Sequence, residues 1–178
     1  AYAQRYLDLM DKVKNAESEL NNGQRLSTAV AKNAFKLMAY KDEYEVARLY
    51  TDCAFTKALE QQFEGDYTLK FHLAPPLFAQ KDAKGHLIKK TYGPWMMRVF
   101  KTLAKMKVLR GTAWDPFGYT AERRAERTIR DDYITRIFAL LPTLSDENFN
   151  QAITLANIPE KIRGFGHVKE KAMAKYWS

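Results

Sequence analysis

The 178-residue chain has a single cysteine, Cys53. One thiol excludes an internal disulfide, a cysteine-bound zinc site and an iron–sulfur cluster held by this chain alone. No apolar run approaches the roughly 20 residues that a membrane span requires. The opening stretch Ala1–Lys14 is amphipathic and charged, unlike a secretory signal. The expectation is a cytoplasmic, reduced protein. Histidine is scarce, and His72, His86 and His167 stand far apart, in no HExxH or His-x-His pattern. No metal site is expected from such spacing. The glycine fingerprints GxGxxG and GxxxxGK[ST] are missing. Ser27, Ser145 and Ser178 lack a nucleophile-elbow context, so no triad is expected.

Acid is also missing from one long window. Between Asp82 and Asp115 the chain carries Lys84, Lys89, Lys90, Arg98, Lys101, Lys105, Lys107 and Arg110, and no Asp or Glu. The first 89 residues hold 13 Lys and Arg against 12 Asp and Glu; the remaining 89 hold 16 against 9. The formal net charge of +8 is therefore almost wholly in the second half. Such a field draws an acidic partner: a phosphate, a nucleic acid or an acidic protein. The plain alternative is a solvated helix face.

What the chain does have is ample core material. With 46% hydrophobic residues and 28% charged ones it has the make-up of a globular protein. The pattern is mainly α: one helical domain spanning residues 1–178, with a small antiparallel sheet of two or three strands at about residues 67–91. Tyr2–Leu20 reads as a helix with Tyr6, Leu9, Met10 and Val13 inward, ended by Asn21-Asn22-Gly23. Ser27 or Thr28 is expected to cap the next helix, whose stripe is Val30, Ala34, Leu37 and Met38. Asp42 with Glu45 forms a capping pair after a break near Lys41. Asp52 caps a further helix through Gln62, closed by Gly65.

At Tyr67 the period changes to two: Tyr67, Leu69, Phe71 and Leu73 alternate with polar residues, as in a half-buried strand. Pro75-Pro76 stops it. A hairpin loop is expected at Lys81–Gly85. Gly93-Pro94 starts a helix with Met96, Val99, Phe100, Leu103 and Met106 inward, and Arg98, Lys101 and Lys105 on another face. Tyr92 and Trp95 are expected to pack inward. Thr120 caps a long helix to about Leu141, with Glu126 set four before Arg130 and Asp132 four before Arg136. Ser145-Asp146-Glu147 caps Asn148–Ala156, and a last helix runs to about Trp177.

The residues that tempt a chemical reading each have a plainer one. His72 falls on the polar side of a strand, as a hydrogen-bonding residue does. His86 reads as a loop residue. His167 follows the turn Arg163-Gly164-Phe165-Gly166 at a helix start, where anions bind; a tight turn explains the glycines equally. Asp131-Asp132 point about 100° apart on a helix, which suits salt bridges rather than shared catalysis. Cys53 lies in an apolar stretch without basic neighbours, as a buried inert thiol does. Lys89, Lys90, Tyr92, Trp95 and Arg98 mix bases with aromatics, but no nucleic-acid module is recognisable. Nucleic acid is not an expected partner.

Six stretches, in order and over essentially the whole chain, carry a family resemblance: residues 29–51, 71–77, 92–95, 109–112, 115–120 and 158–169. The strings KLMAYKDEYEVARLY (36–50) and IRGFGHVKE (162–170) are the most specific. The chain resembles the C-terminal domain of the single-chain indolepyruvate ferredoxin oxidoreductases, a 2-oxoacid:ferredoxin oxidoreductase family. The resemblance implies a much larger parent chain; an opening Ala instead of Met fits an excised segment, and equally removal of an initiator Met. It implies thiamine diphosphate, magnesium and [4Fe–4S] clusters in the parent, with ferredoxin and CoA as reactants. It also implies that the remaining domains of the oxidoreductase are the partner.

This segment departs from the family's catalytic parts. Gly65-Asp66 is followed by Tyr67 instead of a third glycine, no paired asparagines follow, and one cysteine holds no cluster. The expectation is a non-catalytic domain, inactive alone, with no catalytic residue and no cofactor of its own. It supports assembly or the approach of substrate or CoA. Candidate binding residues are the basic stripe Arg98, Lys101, Lys105 and Lys107, and, in the motif loops, His72, Arg110, Arg163, Gly164, Gly166 and His167. The other readings are a basic docking module for acidic ferredoxin, CoA phosphates or nucleic acid, and a free-standing enzyme using His72 or His167.

Overall fold

The computed structural model describes residues 2–20, 22–74, 88–162 and 167–176. The chain is mainly helical. In order come α1 (Tyr2–Ser18), α2 (Arg25–Met38), α3 (Glu43–Thr51), α4 (Cys53–Gln62), β1 (Phe71–Leu73), β2 (Lys90–Tyr92), α5 (Met96–Lys105), α6 (Ala121–Leu140), α7 (Phe149–Ala156) and α8 (His167–Tyr176). Short 3₁₀ turns cover Met106–Leu109, Leu141–Thr143 and Ile158–Lys161. Among the described residues, no helix is long and apolar enough to cross a membrane. Two compact units form: Ala1–Tyr40 with Ala121–Ser178, and Lys41–Thr120.

The first unit buries the stripes that helical periodicity picks out. Leu9 and Val13 of α1, Leu26, Val30 and Ala34 of α2, Tyr133 and Ile137 of α6, and Phe149 and Ala152 of α7 form one core. Each large aliphatic side chain removed from water contributes about 1.5–3 kcal/mol. The start of α2 corrects the expected cap. Its N-cap is Gln24, with no side-chain bond, and Ser27 and Thr28 lie inside the helix. The buried Glu17 carboxylate, from the last turn of α1, instead accepts from the amides of Leu26 at 2.6 Å and Ser27 at 2.9 Å. Two amides that α2 cannot satisfy itself are bound by an acid at its positive end.

Two of the resemblance strings meet in this unit. Lys36 Nζ donates to the carbonyls of Pro159 at 2.6 Å and Ile162 at 2.9 Å. The fully buried Asn33 donates to Asn157 Oδ1 at 3.1 Å, and Lys32 pairs with Glu160 at 2.6 Å. On α6 the expected Asp132–Arg136 pair forms at 3.0 Å. Glu126 is paired with Arg123, and Arg130 turns onto its neighbour Asp131 through two bonds of 3.0 and 2.8 Å. Arg5 joins Asp131 at 2.9 Å, so that acid serves two arginines. Arg130's planar fork matches both oxygens of Asp131, a geometry that i,i+4 spacing does not reveal. Ahead of α7 the cap is Asn148, not Ser145; its Oδ1 accepts from the Ser145 amide at 2.9 Å.

The phenol of Tyr133 is buried and donates to the Ala156 carbonyl at 3.0 Å, closing α7 onto α6. Burial raises its pKa above the ordinary 10.0. Tyr133→Phe keeps the ring and loses that bond. A loss of about 1 kcal/mol is expected in urea unfolding; an unchanged midpoint would refute the bond's contribution.

The second unit is built on an aromatic cluster. Tyr50 of α3 stacks on Phe100 of α5 at 5.0 Å, and Phe71 of β1 stands edge-on to both, at 5.4 and 5.2 Å. Ala47 and Met96 complete the core. Both expected acid caps are present: Asp42 accepts from the Glu45 amide and Asp52 from the Ala54 amide.

The sheet is a two-stranded antiparallel ladder with Phe71 opposite Tyr92, His72 opposite Thr91 and Leu73 opposite Lys90. β1 is shorter than the alternation from Tyr67 suggests. In this register, residues before Phe71 face Gly93-Pro94, where the chain already turns into α5: the Met96 and Met97 amides bond back to the Gly93 and Pro94 carbonyls. Proline has no ladder donor, so pairing stops. The expected loop at Lys81–Gly85 lies outside the described residues.

Four burial expectations are corrected here. Trp95 is 56% exposed and meets Tyr92 edge-on at 5.9 Å. Val99 and Met106 are exposed too. Val99 sits at the margin of the α5 stripe, and Met106 begins the 3₁₀ turn, where the angular step per residue changes. Cys53 is also exposed, because α4 buries none of its residues.

Candidate functional site

The strings at residues 36–50, 109–112 and 115–120 converge on two acids of the second unit. Asp42 is buried, caps α3 and pairs with Arg110 through Nε at 2.5 Å and through a terminal guanidinium nitrogen at 2.7 Å. Asp115 is buried and accepts four bonds: from the amides of Gly111 at 2.9 Å, Gly118 at 3.1 Å and Phe117 at 3.2 Å, and from the Tyr44 hydroxyl at 3.0 Å. Burial pushes the Asp115 carboxyl up, but the Gly111 amide, the Tyr44 hydroxyl and the Gly118 and Phe117 amides outweigh it and hold the group below its ordinary value. Burial, with the bond to Asp115, raises the Tyr44 phenol.

Both glycines of the loop are explained by this acid. Gly111 has φ +74°, a left-handed turn that aims its amide at Asp115. A Cβ at Gly118 would lie 2.9 Å from Asp115 Oδ2. The motif is thus one loop wrapped around a carboxylate and fastened to the start of α3 by Asp42–Arg110 and Tyr44–Asp115. A carboxylate with its lone pairs filled by three amides and a phenol is a structural acceptor.

The candidate surface lies on α5 and the 3₁₀ turn after it. A groove of about 480 Å³ is lined by Lys101, Thr102, Lys105, Met106, Val108 and Leu109. Arg98 stands one helical turn before Lys101, and Lys107 is exposed on the 3₁₀ turn. Among the described residues none of Arg98, Lys101, Lys105 and Lys107 forms an ion pair. Val108 of the groove is 76% exposed. Glu45 feels this positive field. Its bond from Arg48 chiefly, then the charges of Arg48, Arg110 and Lys107, lower its pKa despite partial burial.

The remaining sequence candidates separate. His72 is exposed, and its Nδ1 lies 3.0 Å from the Thr91 hydroxyl across the ladder. Arg110 belongs to the Asp42 pair. Arg163, Gly164 and Gly166 lie outside the described residues; His167 opens α8, its side chain outside the description too. The charge run identified Lys101 and Lys105, but Thr102, Val108 and Leu109 were missed. Their signal is the end of α5, where the lysine face turns over apolar residues.

Gly65, after α4, has φ +78°, and a Cβ there would meet nothing within 4 Å. A cluster needs several thiolates, and Cys53 is the chain's single one.

A family model described as a family of unknown function, DUF6537, matches residues 1–178. No curated protein and no solved structure matches the chain.

Proposed function

The chain belongs to DUF6537, a family of unknown function, and we propose that it is a non-catalytic assembly and docking unit of a 2-oxoacid:ferredoxin oxidoreductase acting on indolepyruvate-like acids in the cytoplasm. One observation carries this reading. The charged residues of the resemblance strings, Lys36, Asp42, Arg110 and Asp115, are engaged in holding the fold, whereas unpaired charge collects on the α5 face. That division suits a part that presents a surface to other domains. Thiamine diphosphate, magnesium and [4Fe–4S] clusters belong, in this reading, to the parent enzyme.

The open reading frame around this sequence tests it. It is expected to encode a thiamine-diphosphate motif and cysteine clusters; a frame without them ends the reading. The purified chain, given indolepyruvate, CoA and an electron acceptor, is expected to form no acyl-CoA. Turnover by the chain alone would refute its non-catalytic role. A second reading, a basic docking module for acidic ferredoxin, CoA phosphates or nucleic acid, is favoured by the four unpaired bases beside the groove.

A further inference from the structure

We infer that the groove at the C-terminal end of α5 seats an acidic, amphipathic segment of a partner protein, with its apolar side chains on Met106, Val108 and Leu109 and its carboxylates at Lys101 and Lys105. The inference deepens the docking reading above and rests on it. Charge complementarity is the first argument. The carboxylate that feels Lys107, Glu45, is held by Arg48 at 2.7 Å, and Asp42 is held by Arg110. Among the described residues no carboxylate pairs with Arg98, Lys101 or Lys105, which leaves all three open to an acidic partner. An apolar floor with a charged rim is the anatomy of a protein interface.

The apolar floor, not the helix dipole, favours an amphipathic partner over a small phosphate. The groove lies at the C-terminal end of α5, where the Met106 amide bonds to the Thr102 and Leu103 carbonyls, the negative end of the helix dipole. No anion gains from the backbone at this end of the helix, so the lysine side chains supply the attraction. Carboxylates on a partner's side chains meet the lysine tips away from the carbonyls, while aliphatic groups cover the floor. Nucleic-acid bases stack on aromatic faces, and the six residues that line this groove include none.

The probe is a fluorescein-labelled helical peptide of about 18 residues, with leucines at helical spacing and flanking glutamates. Its partners are the whole chain and two surface variants, Lys101→Glu with Lys105→Glu, and Val108→Ser. Saturable binding at low salt is expected, with backbone amide shifts concentrated at residues 101–109. The double charge reversal is expected to weaken it about tenfold, and Val108→Ser severalfold. A peptide with serine in place of leucine is expected to bind much more weakly.

No saturable binding overturns the inference. So do equal binding of the serine peptide, shifts located elsewhere, or tighter binding of oligothymidylate. Groove binding together with a reading frame lacking thiamine-diphosphate motifs would keep this inference and end the oxidoreductase reading; the converse would do the reverse.

Discussion

Replacing Glu17 with alanine is expected to lower the unfolding free energy by about 3 kcal/mol. The side chain is 2% exposed and receives the Leu26 and Ser27 amides, the second and third of α2. Hydrogen bonds to a charged acceptor are worth roughly 1.5–3 kcal/mol each, and a buried amide left alone costs about 1–3 kcal/mol. An ordinary N-cap is worth about 1 kcal/mol. Glu17 exceeds it because it fills two amides at once and brings a negative charge to the helix N-terminus. Glu17→Gln keeps the shape and loses the charge, so about half the loss is expected. Urea unfolding followed by circular dichroism checks both. A Glu17→Ala loss below about 0.5 kcal/mol would show that water replaces the carboxylate without cost.

Asp115→Ala is expected to cost a similar amount, about 3 kcal/mol, because three amides and the Tyr44 hydroxyl lose one acceptor together. Asp115→Asn retains one oxygen and is expected to fall between. The acid limb separates this carboxylate from simple packing. The folded pKa is depressed below the ordinary 3.8, so the unfolded chain takes up its proton first as pH falls. The stabilisation is therefore complete above about pH 4 and is lost as pH drops through the folded value. Wild type is expected to lose stability more steeply than Asp115→Asn below about pH 4. Parallel acid limbs for the two proteins would contradict this role. Arg110 and Asp42 stay in both, so the comparison isolates the loop carboxylate.

Local signals explain what was legible in the sequence. The 3.6 period exposed the inward stripes of α1 and α2, and the caps Asp42 and Asp52 lie within three residues of the amides they bind. Glu17 is nine residues from Leu26. No window on α2 contains its own cap, so Ser27 and Thr28 looked like the natural choices. The loop at Asp115 read as a turn from its Pro and Gly. Its acceptor role depends on Tyr44, 71 residues earlier.

Alternation marked a strand from Tyr67, but a strand is as long as its partner permits, and Gly93-Pro94 set that limit. The basic side of the candidate groove was visible as a window without acid. Its floor was not, because the 3₁₀ turn at Met106–Leu109 breaks the helical phase by which apolar residues are sorted. Cys53 shows the opposite failure: apolar neighbours in sequence carried no information about which side of α4, a helix with no fully buried residue, meets solvent.

That thiol has a practical use. A maleimide dye on the exposed Cys53 modifies this chain at one position, on a helix none of whose residues is fully buried. The protein therefore comes with its own attachment point for fluorescence or spin labelling, with no engineered site required.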